Sequence, residues 1–489
     1  MSQFVHIPQV GSLKPQPVYL SPGVWMVGAC FVCYRLFTSI NPLEELYAYL
    51  TGMVIVRLLW RQGYPSIFLF IALIHWLQVF MFIVWNNFYG WTVNTYYDTG
   101  GEAYWWSMTG VLCMAVIFHR VLQKTPQANL MQALREAPYF SSARIFWTYI
   151  LLTLINGTLF RWAVTLPTVG QVLFWIIDLR EMVLLLYAWL VVVRREPKWG
   201  LIILCTLHFI LSLFSYFGGY KSIFIVIGLL ALMRIRYMHL SRLLLVLIGS
   251  AMVLFLSIVW ISVRGTYREF LSQGTQQQVV KVSRQEAMQQ LYELVGHLTP
   301  HQLYKGFESF IYRVQYLQFF SMAMQQVPEK IPYQQGRLTL SNLEFVLVPR
   351  ILDPDKPMLD PSKKTNAYTG AQVATMQQGT SISMGYFVDF YIDFGPVGML
   401  IALIILWTLI GWAYRYFVIH LSPSLAVNIM VMVIFLKRFY LFETDAIGVF
   451  GSLYTMTVTL FLLKWLLMPP VLRFWTRHAW HSGMQMAIG

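Results

Sequence analysis

Twelve times along this chain an apolar run reaches or approaches the length of a bilayer-crossing helix, about 20 residues. The runs lie near 23–40, 46–61, 65–89, 103–122, 145–164, 169–193, 199–217, 220–235, 242–262, 390–414, 423–441 and 447–468. Such a chain does not fold as a water-soluble globule. Of its 489 residues 57% are hydrophobic and only 11% charged, less than half the charged share of a soluble domain. The pattern predicts an all-α polytopic membrane protein of about twelve spans and excludes soluble enzymes. The run at 46–61 is the shortest and carries Arg57.

Charge supports that count. The chain has 35 basic and 21 acidic residues, a net of +14. With the N-terminus inside and the runs alternating, the cytoplasmic segments hold 17 basic residues against two acids, Glu136 and Glu196. The short outer turns hold Glu44, Glu45, Asp98, Glu102, Glu443 and Asp445. Cytoplasmic loops of membrane proteins are enriched in Lys and Arg, so both termini are expected inside. These segments sum to 17 − 2 = +15, so the rest of the chain sums to −1 within the net +14. The basic excess thus reports orientation and calls for no nucleic-acid partner. Residues 1–22 read as a cytoplasmic N-terminus without the charged start and apolar run of a cleaved signal, and 469–489 as a basic cytoplasmic tail. Cys30, Cys33, Cys113 and Cys205 all lie in apolar segments, which suggests neither a disulfide framework nor a zinc site.

Between the first nine spans (23–262) and the last three (384–468) lies a polar loop, 263–383, with 12 basic and 9 acidic residues. It falls on the outer face, periplasmic in a two-membrane bacterium, and is too long for a passive connector. Thr299–Pro300 reads as an N-cap with Pro at the first helical position. Leu303, Phe307, Phe310, Ile311, Val314, Leu317 and Phe320 then recur at helical spacing. An amphipathic helix from about 300 to 325 is expected. Gln334–Gly336 and 349–361 read as irregular loop.

Ionisable residues within spans are costly and mark function by default. Here they collect towards the outer ends: Arg161; Asp178, Arg180 and Glu181; Lys221; Arg264 and Arg268; Asp389 and Asp393; Lys437 and Arg438. Local pairs that only hold helices together, such as Asp178–Arg180–Glu181, are one reading. A charged cavity open to the outer face is the other. Arg binds phosphate through a planar fork and Lys as a point charge, so such a cavity suits an anionic head group. The aromatics Tyr96, Tyr97, Trp105 and Trp106 suit either an interfacial belt or sugar stacking.

The segment FIYRVQYLQFFSMAMQQVPEKIPYQQGRLTLSNLEFVLVPRILDPDKP, with GYFVDFYIDFGPVG after it, resembles the outer loop of bacterial oligosaccharide repeat-unit polymerases of the O-antigen polymerase type. The matching positions are Arg313, Gly336, Pro349–Arg350, Lys356–Pro357, Gly385, Asp389, Phe394, Gly395 and Gly398. The family often has Glu where Asp389 stands. Arg264 and Arg268 in VRGTYR and Lys221 in FGGYKS extend the resemblance over about 215–400. The resemblance implies a fold related to the type C glycosyltransferases and a metal-independent enzyme without cofactors. It would transfer a growing glycan from undecaprenyl pyrophosphate to an incoming lipid-linked repeat unit, with a chain-length regulator as a possible partner. Asp389 would be the base, or alternatively pair with an arginine. Arg313 and Arg350 would act beside it. Arg264, Arg268, Lys356, Lys221, Arg180, Lys437 and Arg438 would bind the pyrophosphates. Glu344, His297 and His301 are weaker candidates for the base. An O-antigen ligase shares these parts. A lipid-linked glycan flippase would instead spread charge through the bilayer, and a scaffold subunit would tolerate loss of single arginines.

Overall fold

The computed structural model describes residues 17–61, 67–125, 136–165, 167–213, 221–235, 237–274, 280–348, 353, 356, 359–374, 381–421 and 425–476. Among the described residues the chain is helical apart from two paired dipeptide strands, and each of the twelve apolar runs overlaps a helix. In order these are α1 (Pro22–Thr38), α2 (Pro42–Leu59), α3 (Ile67–Phe88), α4 (Gly100–Lys124), α5 (Ser142–Thr165), α6 (Pro167–Val193), α7 (Trp199–Leu213), α8 (Lys221–Arg234) and α9 (Leu240–Ser272). The long loop then supplies α10 (Arg284–Gly296), α11 (Pro300–Val314), α12 (Leu317–Gln326), α13 (Arg337–Leu347) and α14 (Pro361–Thr369). The chain closes with α15 (Tyr386–His420), α16 (Leu425–Phe439), α17 (Ala446–Leu462) and α18 (Met468–Trp475). Among the described residues six helices are long and apolar enough to cross a membrane: Ile67–Phe88, Gly100–Lys124, Ser142–Ala163, Leu240–Ser272, Tyr386–His420 and Ala446–Trp475.

The core lies where α3, α4, α15 and α16 meet. Lipid tails give apolar helices no hydrophobic reason to associate, so membrane helices rely on close approach at small residues. Gly110 of α4 does this: a methyl there would stand 2.6 Å from Phe387 of α15. Gly411 of α15 returns the contact against Val121 of α4, also at 2.6 Å. In contrast, α9 leaves Leu244, Leu245, Leu247, Ile248 and Met252 exposed, a face that only lipid would solvate well.

The two ends of the bundle are distinct. At one end strand β1 (Tyr19–Leu20) pairs in parallel with β2 (Tyr237–Met238), Pro17 bridges Arg61, and Phe140 bridges Thr476. Arg194 donates to the Phe140 carbonyl at 2.9 Å, and Lys464 to that of His420 at 3.0 Å. At the other end Asn41 donates to the Trp91 carbonyl at 2.9 Å, Thr99 to that of Ser321 at 2.7 Å, and Tyr89 to Glu308 at 3.1 Å.

One expectation for the loop is corrected. The helix expected over 300–325 is two helices. Its start holds: the Thr299 hydroxyl accepts from the Gln302 amide and the Gln302 carboxamide accepts from Thr299, a capping box. It ends at Gln315, whose backbone is extended. The physical reason is that α11 lies along α9 and α3 with one apolar face, whereas Leu317, Phe319, Phe320, Ala323 and Met324 of α12 are all buried in the bundle. One straight helix cannot both lie on the bundle and enter it. Gln334–Gly336 is irregular, as expected, and helix α13 begins directly after it.

Helix α15 is broken at Gly395, with φ 70 and ψ −176, a conformation essentially reserved for glycine. Pro396 follows and cannot donate to the preceding turn. A Cβ at Gly395 would lie 3.2 Å from the Tyr333 ring. Gly395→Ala is expected to cost about 1–3 kcal/mol, read as a lower melting temperature of the purified protein.

Candidate functional site

The entrance to α15 is fixed by a buried charge junction. Gly385 has φ +90, and a Cβ there would meet the Phe442 carbonyl at 2.9 Å. This tight passage sets Asp389, in the first turn of α15, beside the start of α17. Asp389 is 1% exposed. It accepts the Ala446 amide at 2.7 Å and the Lys364 ammonium of α14 at 2.9 Å, with the other carboxylate oxygen 2.8 Å from the same ammonium. Lys364 also stands 3.6 Å from Asp445, which caps α17 by accepting from Gly448 at 3.0 Å. Burial works against the Lys364 charge, but Asp389 and Asp445 outweigh it and hold the ammonium above its ordinary range. Burial pushes the Asp445 carboxyl up, against Lys364 and with Asp389. Asp389 therefore faces an ammonium and an amide rather than an open cavity. The geometry gives it the pairing role that the sequence offered beside the base role, with Lys364 in place of an arginine.

A second group gathers three arginines. Arg264 and Arg268 lie one turn apart near the end of α9, and Arg313 lies near the end of α11, which packs on α9. Arg264 is close enough to both Arg313 and Arg268 to feel their charges. Arg313 is exposed and the other two are half-buried. Three residues beyond Arg313, the Tyr316 hydroxyl donates to the Ser383 carbonyl. Burial raises its phenol, helped by Glu443 and Asp445 and opposed by Arg313. Tyr316 is thus within reach of charges from both groups.

A third group joins α6 to α16. Lys437 pairs with Asp178 and, at 3.1 Å, with Glu181; Arg438 reaches Asp178 at 2.9 Å. These pairs link helices instead of forming within α6. Lys437 and Arg438 thus spend much of their charge on carboxylates. Arg180 lies in the same neighbourhood, acting with Lys437 on His208. His208 itself is hydrogen-bonded to Tyr149 at 2.8 Å.

The remaining candidates separate. Lys356 donates to the carbonyls of Phe345 and, at 2.5 Å, Val348, and lies 3.8 Å over the Phe345 ring. It closes the end of α13. Asp393, buried at the break in α15, accepts from the Leu338 and Thr339 amides at 3.0 and 2.7 Å and so caps the start of α13. Lys221 is the first residue of α8. Arg350 lies outside the described residues. Arg161 and Glu344 are exposed. His297 ends α10 and His301 lies in the first turn of α11, so the two sit on different helices. Tyr89, Trp91 and Tyr96 stack in parallel at 4.8 and 5.5 Å on the loop-helix end, and Trp105 stacks on Tyr47 at 4.7 Å.

Residues that sequence reasoning passed over are Lys364, Asp445 as the partner across the junction, and Tyr316. A faint signal marked Lys364. Asp360–Pro361 is a helix start, and Ser362, Thr365 and Thr369 give α14 a small polar face at helical spacing, which is buried.

Among the described residues the protein is helical apart from one pair of two-residue strands, with six helices long and apolar enough to cross a membrane. Residues 130–416 match the family model of a domain of unknown function, DUF8712, and the chain belongs to that family. The match runs from just before α5 into α15, so it includes the arginine group, Lys364 and Asp389. No curated protein and no solved structure matches the chain.

Proposed function

We propose that this chain is a metal-independent polymerase of lipid-linked glycan repeat units in a bacterial inner membrane. Twelve spans would place both termini in the cytoplasm and the loop-helix end at the outer face. The observation that carries this reading is the Arg264, Arg268 and Arg313 group. Like charges held together are costly, and a multivalent oxyanion relieves that cost while accepting from several planar donors. A pyrophosphate on an undecaprenyl carrier is such an anion. Once its charge is neutralised it departs readily from the sugar to which it is attached.

The reaction joins the anomeric carbon of the growing glycan to a hydroxyl of the incoming unit. The carbon–oxygen bond to undecaprenyl pyrophosphate breaks, and the hydroxyl proton passes to a base. With Asp389 held by Lys364, its contribution is to fix the α15 entrance. Glu443, half-buried beside Tyr316, is then the better-placed carboxylate for that proton.

The test is reconstitution of the purified protein with undecaprenyl-pyrophosphate-linked repeat units from its own source cell. A ladder of lengthened glycans is expected. Unaltered substrate would overturn the reading. Transfer to a lipid A core would make the protein a ligase, and movement of substrate across the bilayer without a new glycosidic bond would make it a flippase.

A further inference from the structure

We infer that Gln78 of α3 is the positioning residue for the proposed base, Glu443. Its carboxamide oxygen accepts from the Phe442 amide at 3.0 Å, and its Nε2 donates to the Glu443 carboxylate at 3.3 Å. One side chain thus holds two consecutive residues of the turn between α16 and α17. The inference rests on the polymerase reading, in which Glu443 takes the acceptor proton.

Gln78 stands out in its helix. From Ile67 to Val84 the only polar side chains of α3 besides the Trp76 indole are His75 and Gln78, one turn apart. Both are buried. His75 Nδ1 lies 2.9 Å from the Ile71 carbonyl and so carries the proton, which leaves Nε2 to accept from the Tyr386 hydroxyl at 2.9 Å. Tyr386 is the first residue of α15, and its amide donates to the Thr444 carbonyl at 2.7 Å. His75 therefore secures the α15 entrance, and Gln78 the two residues just before Thr444.

A buried carboxamide is costly unless its polar atoms are met. Anchoring the turn does not require Gln78 to reach the carboxylate. Phe442 is fully buried, its ring centroid lies 4.5 Å from that of Phe387, and its carbonyl closes on Gly385. What the Nε2 contact adds is the direction of the Glu443 side chain. Its chemistry also suits a base. The Lys364 ammonium pairs with Asp389 and offsets its charge, whereas a neutral carboxamide N–H aims a carboxylate and leaves its charge in place. Glu443 is half-buried, so an acceptor hydroxyl can reach it.

The test is elongation kinetics of the full chain in vesicles with its lipid-linked repeat unit. Gln78→Met nearly keeps the side-chain volume and loses both hydrogen bonds. It should lower kcat by about ten- to a hundred-fold with KM within about two-fold, the scale and signature of a misplaced catalytic group. Glu443→Gln should lower kcat by about 10²–10⁴-fold, the contribution of a general base. In that background Gln78→Met should cost nothing more, because it acts only through the carboxylate. Melting temperatures show that the variants fold. Gln78→Asn, whose shorter carboxamide stays polar and cannot span both partners, carries the same expectations and disturbs the fold less. An unchanged kcat in both Gln78 variants, or a loss that adds to that of Glu443→Gln, overturns the positioning role and leaves the polymerase reading standing. Full activity of Glu443→Gln removes the base and the positioning role together, again without touching the polymerase reading. No elongation by the wild type overturns that reading and this inference with it.

Discussion

Replacing Lys364 with methionine is expected to destabilise the protein by about 3–5 kcal/mol, the scale of breaking a buried ion pair by removing one partner. Lys364 is 18% exposed and lies against two carboxylates, Asp389 at 2.8 Å and Asp445 at 3.6 Å. Methionine nearly fills the same volume, so the loss is of charge and not of packing. Two buried carboxylates would then face one another, and one would have to take up a proton. The check is thermal unfolding of the purified protein in detergent. Adding Asp389→Asn to Lys364→Met should recover part of the loss, because it removes one of the stranded charges. A melting temperature unchanged by Lys364→Met would contradict the charge junction.

The second large effect concerns activity. Arg264→Gln and Arg313→Gln are each expected to slow chain elongation by about 10²–10³-fold, the scale of losing one preorganised donor to a developing anion. Stability should move the other way. Each substitution relieves the repulsion between Arg264 and its neighbouring arginines, so the melting temperature should hold or rise. That opposition separates a ligand-binding role from a structural one. Loss of activity together with loss of fold would reassign these arginines to the scaffold.

What could be read in the sequence followed from distance along the chain. Helices depend on local periodicity, and every apolar run overlaps a helix. The Thr299–Pro300 start depends on four consecutive residues and is realised as a capping box. The break between α11 and α12 was hidden, because periodicity continues through Gln315 while the burial pattern changes from one face to most of the helix.

The candidate site was legible as a set of residues but not as a set of partners. That Asp178, Lys437 and Arg438 belong together at one end could be argued from depth. That they pair across about 260 residues could not. Asp389 and Asp393 stand four residues apart at the start of one helix, and only the resemblance set them apart. One meets Lys364 and the other caps α13, because each faces a different loop helix. Lys364 itself sits beside Lys363 in a polar segment and reads as solvated. Only the docking of α14 against α12 and the α15 entrance buries it.

The central claim is that the loop-helix end holds a lipid pyrophosphate while a glycan leaves it. The most direct measurement is the amount of undecaprenyl pyrophosphate released per glycosidic bond formed, in vesicles containing the purified protein and its lipid-linked repeat unit. The account predicts one released for each bond, with both falling together in Arg264→Gln. Lengthened glycan without matching release, or release without lengthening, would contradict it.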